Sequence, residues 1–234
     1  MDVIGDLVTR ERRRKEPLVY ASGSQPYTAH KFCTDAWKTA SLFRYHGLGP
    51  QRELVVGDDP EPQALLGIVG AGLLGARVRI GQPTPEARLV VGPSDAFGDW
   101  EPTPGTKRVV YGALPEDPDV IHFERDTWSE NPTMPPDRVD PDADLLVTDE
   151  ETYTHADLLA ATERIVDDVG LTSDDEVAVR GPLSDPGVLV AGVLAPMLVD
   201  GTIALEGSDR TGTVSVGGED APEPTIVDPA SARP

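Results

Sequence analysis

The chain spells one order of elements twice. Residues 18–80 read as an apolar strand, a polar stretch ending in Tyr27-Thr28, a helix, Gly47-Leu48, a strand at 53–56, an acidic turn with proline, an apolar helix and a strand at 77–80. Residues 145–205 follow the same order: a strand at 145–147, Tyr153-Thr154, a helix, Gly170-Leu171, a strand at 176–179, an Asp/Pro turn, an apolar helix at 187–199 and a strand at 202–205. The offset of about 125 residues far exceeds the roughly 20 to 50 of stacked solenoid repeats. The pattern instead describes an α/β body built from two similar lobes of mostly parallel sheet flanked by helices, with right-handed crossovers.

On this reading residues 1–125 form a first lobe, 126–142 a linker carrying Pro132, Pro135, Pro136 and Pro141, 143–228 a second lobe and 229–234 a disordered tail. An amphipathic helix is expected over 4–16, its apolar stripe being Ile4, Leu7 and Val8, stopped by Pro17. Residues 18–21 and 25–27 suggest a hairpin around Ser22-Gly23-Ser24. Thr28 and Thr154 each stand where an N-cap is needed. Phe32, Ala36, Trp37, Ala40 and Phe43 follow the first at spacings of three and four, and Leu158, Leu159, Thr162, Ile165, Val166 and Val169 follow the second, with Gly170 as the stop. Short strands are expected at 89–91, 108–111 and 120–123, and two edge strands at 213–216 and 225–227.

Charge narrows the partners. The net charge is -21, but residues 1–115 carry 14 Lys and Arg against 13 acids, while 116–234 carry 6 against 28, so the second half is a strong anionic field hostile to phosphate backbones and anionic lipid. No nucleic acid and no membrane is expected as a partner. Lys supplies only 4 of the 20 basic residues, and Asp outnumbers Glu 25 to 16, a balance that points to a halophilic cytoplasm. At about 1 M salt the Debye length falls to about 3 Å and the carboxylates stop straining the fold. The basic run at 10–15 reads as the polar face of a first helix or as a partner for the acidic half. No apolar run reaches the roughly 18 residues of a membrane span, and the start lacks a signal peptide's basic and apolar regions, so a soluble, cytoplasmic protein is expected. Cys33 is the single cysteine and reads as a small buried residue on a helix.

Gly70-Ala71-Gly72-Leu73-Leu74-Gly75 spells the G-x-G-x-x-G of a Rossmann-type NAD(P)-binding turn. That turn needs a helix after it, to hold pyrophosphate at its N-terminus, and an acid about 20 residues on. Here Gly81, Pro83 and Pro85 follow almost at once, and the equivalent stretch at 188–199 has no such pattern. Residues 62–74 are therefore expected to be one apolar helix, with small residues for close packing.

Taken together, Tyr27-Thr28, Gly47-Leu48-Gly49-Pro50-Gln51-Arg52-Glu53-Leu54 and Val69-Gly70-Ala71-Gly72 resemble the N-terminal lobe of adenylate-forming, AMP-binding enzymes such as acyl-CoA synthetases. Asp142-Ala143-Asp144-Leu145-Leu146-Val147-Thr148 is similar to the strand entering that family's phosphate loop, and Thr154-His155 to the Thr-His leaving it. The resemblance covers about 190 residues in order and implies an acyl-CoA synthetase N-terminal-like fold.

At the loop itself the chain departs from the family. The family's loop is rich in Ser, Thr and Gly and contains Pro-Lys-Gly, whose amides and hydroxyls wrap phosphate. Here the position reads Thr148-Asp149-Glu150-Glu151-Thr152-Tyr153, with no glycine, no lysine and three carboxylates. The sequence also ends before the stretches that match the family's adenine and ribose contacts and its catalytic lysine. The expectation is a non-catalytic relative acting by binding or assembly, with no cofactor, no metal, and an acyl-CoA synthetase-like protein or a second copy as possible partner. Alternatives are a subunit of a split adenylate-forming ligase and a binding protein for an acyl group, CoA or AMP. His30, His46, His122 and His155 lack metal-ligand spacing, Asp58-Asp59 and Asp174-Asp175-Glu176 read as solvated turns, and Trp37 and Phe43 as core.

Overall fold

The computed structural model describes every residue except Ser24, Gly98, Asp99, Asp137 and Glu219, and the structural statements below are made of the described residues. The strands are β1 (Pro17–Tyr20), β2 (Tyr27–Thr28), β3 (Glu53–Val56), β4 (Arg77–Ile80), β5 (Ala87–Pro93), β6 (Lys107–Tyr111), β7 (Ile121–His122), β8 (Asp144–Val147), β9 (Thr152–Thr154), β10 (Glu176–Val179), β11 (Thr202–Ala204), β12 (Val214–Val216) and β13 (Thr225–Val227). The helices are α1 (Ala29–Tyr45), α2 (Pro62–Gly72), α3 (Phe123–Trp128), α4 (His155–Val169), α5 (Pro186–Leu189), α6 (Ala195–Leu198) and α7 (Pro229–Ala232).

One sheet runs β7-β6-β5-β3-β4-β8-β9 and the other β13-β12-β10-β11-β1-β2. Every pairing is parallel except the two hairpins, β1–β2 and β8–β9. Each hairpin sits in the other half's sheet: β1 pairs with β11, and β8 with β4. The sheets therefore do not divide at residues 126–142. Buried strands such as β3, closed on both faces, need the near-continuous apolar run Leu54-Val55-Val56.

The helices lie between the sheets. Helix α1 packs on the β1–β2 hairpin and on α2, which packs on β3, β4 and β5. Thr28 caps α1, accepting from the Lys31 amide at 3.2 Å, and Phe32, Ala36, Trp37, Ala40 and Phe43 are all buried. A single apolar core joins the inner faces of both sheets through these helices. Val55, Ala87 and Val90 face the other way and are covered by Phe97 and Trp100. Gly70 lets α2 approach α1: a Cβ there would lie 2.9 Å from Thr39 Cγ2. The glycine pattern thus lies within a helix and its C-terminal turn, which Gly75 ends at φ +63°.

Several expectations are corrected. Residues 4–16 form two 3₁₀ turns, Ile4–Val8 and Arg10–Arg12, in place of an α-helix. The Val8 carbonyl that a helix would use accepts instead from Trp37 Nε1 at 2.8 Å, and Arg12 extends to the Met197 and Leu198 carbonyls and Asp200. The basic run is in this respect a partner of the second half, with Arg14 also on Asp200. Residues 123–128, expected as strand end and linker, form α3, started by His122 Nδ1 accepting from the Arg125 amide. The helix expected at 187–199 is α5 and α6 joined by a π-helical turn, Val190–Leu194. Pro196 offers no N–H to the carbonyl four residues back, and the helix widens in the turn before it. Strand β12 is internal, not an edge. Residues 229–232 are helix α7, with Ala232 fully buried, because Asp228 caps the Ala230 amide and α7 packs on α5. The β1–β2 connection reaches Ser24, which lies outside the described residues.

Candidate functional site

The parallel strands β4 and β8 end side by side, and ligands of α/β sheets bind beyond such carboxyl ends. A cavity of about 490 Å³ opens there, lined among others by Arg79, Gln82, Thr84, Thr148, Asp149 and Ser184. The connection from β8 to β9 forms its rim.

That connection is a closed turn. The Thr148 amide donates to the Glu151 carbonyl at 2.9 Å, and the Thr148 hydroxyl donates to the same carbonyl at 3.0 Å. The same hydroxyl oxygen accepts from the amides of Glu150 at 3.2 Å and Glu151 at 2.9 Å. Two amides that a phosphate loop would present to an anion are thus occupied by a side chain within the turn. The three carboxylates project outward. Asp149 is 97% exposed and pairs with Arg79 Nη1 at 2.8 Å, while Glu151 accepts from the Tyr153 hydroxyl at 2.6 Å. That hydrogen bond, ahead of burial, pushes the Tyr153 phenol up to about 12.

Beyond the turn, Thr152 is exposed at the start of β9 and Thr154 caps α4. The Thr154 hydroxyl oxygen accepts from the Asp157 amide, and the Asp157 carboxylate accepts from the Thr154 amide at 2.9 Å and its hydroxyl at 2.7 Å. The Thr154 amide, then its hydroxyl, holds the Asp157 carboxyl below its ordinary value. His155, next in sequence, turns away from the rim. It is fully buried, its Nδ1 accepts from the Ile4 amide at 3.3 Å, and its Nε2 has no partner. Burial draws its imidazole down to about 4. Of the residues singled out, Thr148, Asp149, Glu150, Glu151 and Thr152 therefore share one rim, whereas Thr154 and His155 serve the helix and the core.

Two participants were missed in the sequence. Arg79 lies beneath the turn, bonded to Asp149 and 3.9 Å from Glu53, which itself accepts from the Thr84 hydroxyl at 2.6 Å. The alternation Arg77-Val78-Arg79-Ile80 put a charged side chain on one face of a buried strand and was the signal available. Asp58 crosses to the equivalent turn of the second half, accepting from the Leu183 amide at 2.8 Å and the Ser184 hydroxyl at 2.5 Å. Nothing local foretells a contact across 126 positions. Among the described residues no group of three or more His, Cys, Asp or Glu side chains could hold a metal ion, and no helix is long and apolar enough to cross a membrane. Cys33 is buried, which pushes its thiol up to about 11.

No family model matches the chain, and no curated protein does. Solved structures match well. The anthranilate CoA ligase AuaEII in complex with anthranoyl-AMP aligns with TM-score 0.79 at 13% identity, over 92% of this chain and 49% of that one. A benzoate CoA ligase from Burkholderia xenovorans LB400 aligns with TM-score 0.76 at 18% identity, over 93% and 50%. The N-terminal domain of FACL13 from Mycobacterium tuberculosis gives TM-score 0.76 at 13% identity, over 93% and 63%. The fold is that of the N-terminal domain of acyl-CoA synthetase-like enzymes. This chain spans about half the length of the two full ligases.

Proposed function

We propose that this chain is a non-catalytic acyl-CoA synthetase-like protein that acts by binding or assembly, its nucleotide loop replaced by a closed acidic turn. One observation carries the reading: the Glu150 and Glu151 amides are held by the Thr148 hydroxyl. A triphosphate arriving at this rim would have to break those bonds and face three carboxylates, of which, among the described residues, only Asp149 has a cationic partner, Arg79. The natural partner is an acyl-CoA synthetase-like protein or a second copy of the chain. The Asp-rich surface fits a protein that works in concentrated salt. Titration calorimetry with Mg-ATP tests the central claim: no saturable heat is expected up to millimolar nucleotide. Micromolar binding that disappears in Asp149→Ala or Glu150→Ala would overturn it.

A second reading, part of a split adenylate-forming ligase, draws support from the match of 92% of this chain to 49% of a CoA ligase. It requires a co-purified complex containing this chain to catalyse pyrophosphate exchange with a fatty, aryl or amino acid. A complex inactive across all three classes removes it.

A further inference from the structure

A second cavity lies at the opposite end of β4 and β8 from the acidic turn. It measures about 580 Å³ and sits where β4 begins with Arg77 and β8 begins with Asp144, with Arg138, Val139, Asp140 and Asp142 also in its lining. This is within the range of small-molecule sites, about 300 to 1,000 Å³.

Among the described residues, the arginines and aspartates that line it do not pair with one another. Arg12, Arg14, Arg79, Arg180, Arg210 and Arg233 each pair with a carboxylate. Arg77 and Arg138 face this cavity and pair with none among the described residues, and the Arg77 Nε is buried without any partner. Asp140, Asp142 and Asp144 line the same cavity without reaching Arg77. In a chain with 41 acids and 20 bases, a half-buried guanidinium left unpaired beside three aspartates is a group awaiting a partner. Leu74 and Val139 supply apolar wall.

This arrangement selects among ligands. A simple anion meets the aspartates and the field of the whole chain, and a simple cation meets two guanidinium groups. A guest carrying both signs satisfies both ends at once. We infer that the cavity framed by Arg77, Arg138 and the aspartates at 140, 142 and 144 binds a small zwitterion, a free α-amino acid with an aliphatic side chain. Its carboxylate lies on the guanidinium groups, its ammonium on Asp142 or Asp144, and its side chain against Leu74 and Val139. Planar guanidinium groups suit the carboxylate because they can donate two parallel hydrogen bonds. The site is remote from the acidic turn and independent of the function proposed above.

The test uses the whole chain, in the salt where it is most stable, with glycine, L-valine and L-leucine as probes and acetate and methylammonium as half-ligands. Calorimetry or ligand-observed NMR is expected to show saturable millimolar binding of L-valine or L-leucine, with each half-ligand at least about tenfold weaker. Arg77→Gln and the exposed Arg138→Gln should each weaken the amino acid at least about tenfold, and Asp142→Asn combined with Asp144→Asn should do likewise. Should Arg77→Gln fail to fold, Arg138→Gln decides alone. Acetate or methylammonium binding as tightly as the amino acid, binding unchanged in Arg138→Gln, or no saturable binding of any probe would each overturn the assignment.

Discussion

The two hairpins with the helices that follow them pair in the same way yet differ at the turn between their strands. In the first, Pro17 faces Thr28 and Val19 faces Tyr27; in the second, Asp144 faces Thr154 and Leu146 faces Tyr153, with a register shift at the same place in each. The Ala29 amide donates to Glu16 and the His155 amide to Ala143, again in equivalent positions. Both helices open on a threonine cap. The connections differ. The first passes through Gly23 at φ +61°, whereas 148–151 close on the Thr148 hydroxyl. The tyrosines follow their turns: Lys31 lies 3.7 Å from the centre of the Tyr27 ring, while the Tyr153 hydroxyl donates to Glu151. Parallel pairing and helix capping constrain the framework, and a solvent-facing turn is free to change its chemistry.

The largest expected difference between the two units is in their response to acid. The residue after the cap is Ala29 in one and the buried His155 in the other, whose imidazole is held down to about 4. The unfolded chain accepts that proton near pH 6.5, so the native state binds fewer protons in between. The contribution is complete above about pH 6.5 and is lost as pH falls toward 4, about 3 kcal/mol in all. Urea unfolding at about pH 7 and pH 5 should differ by about 2 kcal/mol, and His155→Ala should remove most of that difference. Equal pH dependence in both proteins would break the contrast.

Salt should separate the halves next. The second half holds most of the 41 acids, so raising KCl from about 0.1 M to 2 M should raise Tm by about 5 °C as repulsion is screened. An unchanged Tm would remove the halophilic reading. The smallest effect sharpens the comparison at the caps. Thr154→Ala should cost about 1 kcal/mol and Thr28→Ala about half of that, because only Thr154 shares a reciprocal capping box, with Asp157. Equal losses, measured by chemical unfolding, would mean that the box adds nothing.

Much of this was legible in the sequence because it is written locally. The apolar spacing of 29–45 and 155–169, the threonine caps and the Gly170 stop are short-range physics, and they locate α1 and α4 within a residue or two. Gly81, Pro83 and Pro85 correctly argued that the glycine pattern ends a helix and does not begin one. What the sequence hid was pairing at long range. The exchange of hairpins between sheets, the Arg12 fork on the end of α6 and the Asp58 bridge to Ser184 depend on groups far apart in the sequence, from Val78 and Leu146 to Arg12 and Met197. Helix α7 escaped for the same reason, since four residues are too few to be stable alone and hold only because α5 lies beneath them. At the candidate site, the composition of 148–153 was visible, but the saturation of its amides was not, because that depends on where one hydroxyl points.

The exchange of β1–β2 and β8–β9 has a consequence for how the molecule can come apart. A protease that nicked the exposed proline-rich stretch near residues 131–136 would sever the backbone without releasing either piece, since each fragment still lends two strands to the other's sheet. The nicked pieces should migrate as one particle until denaturant separates them.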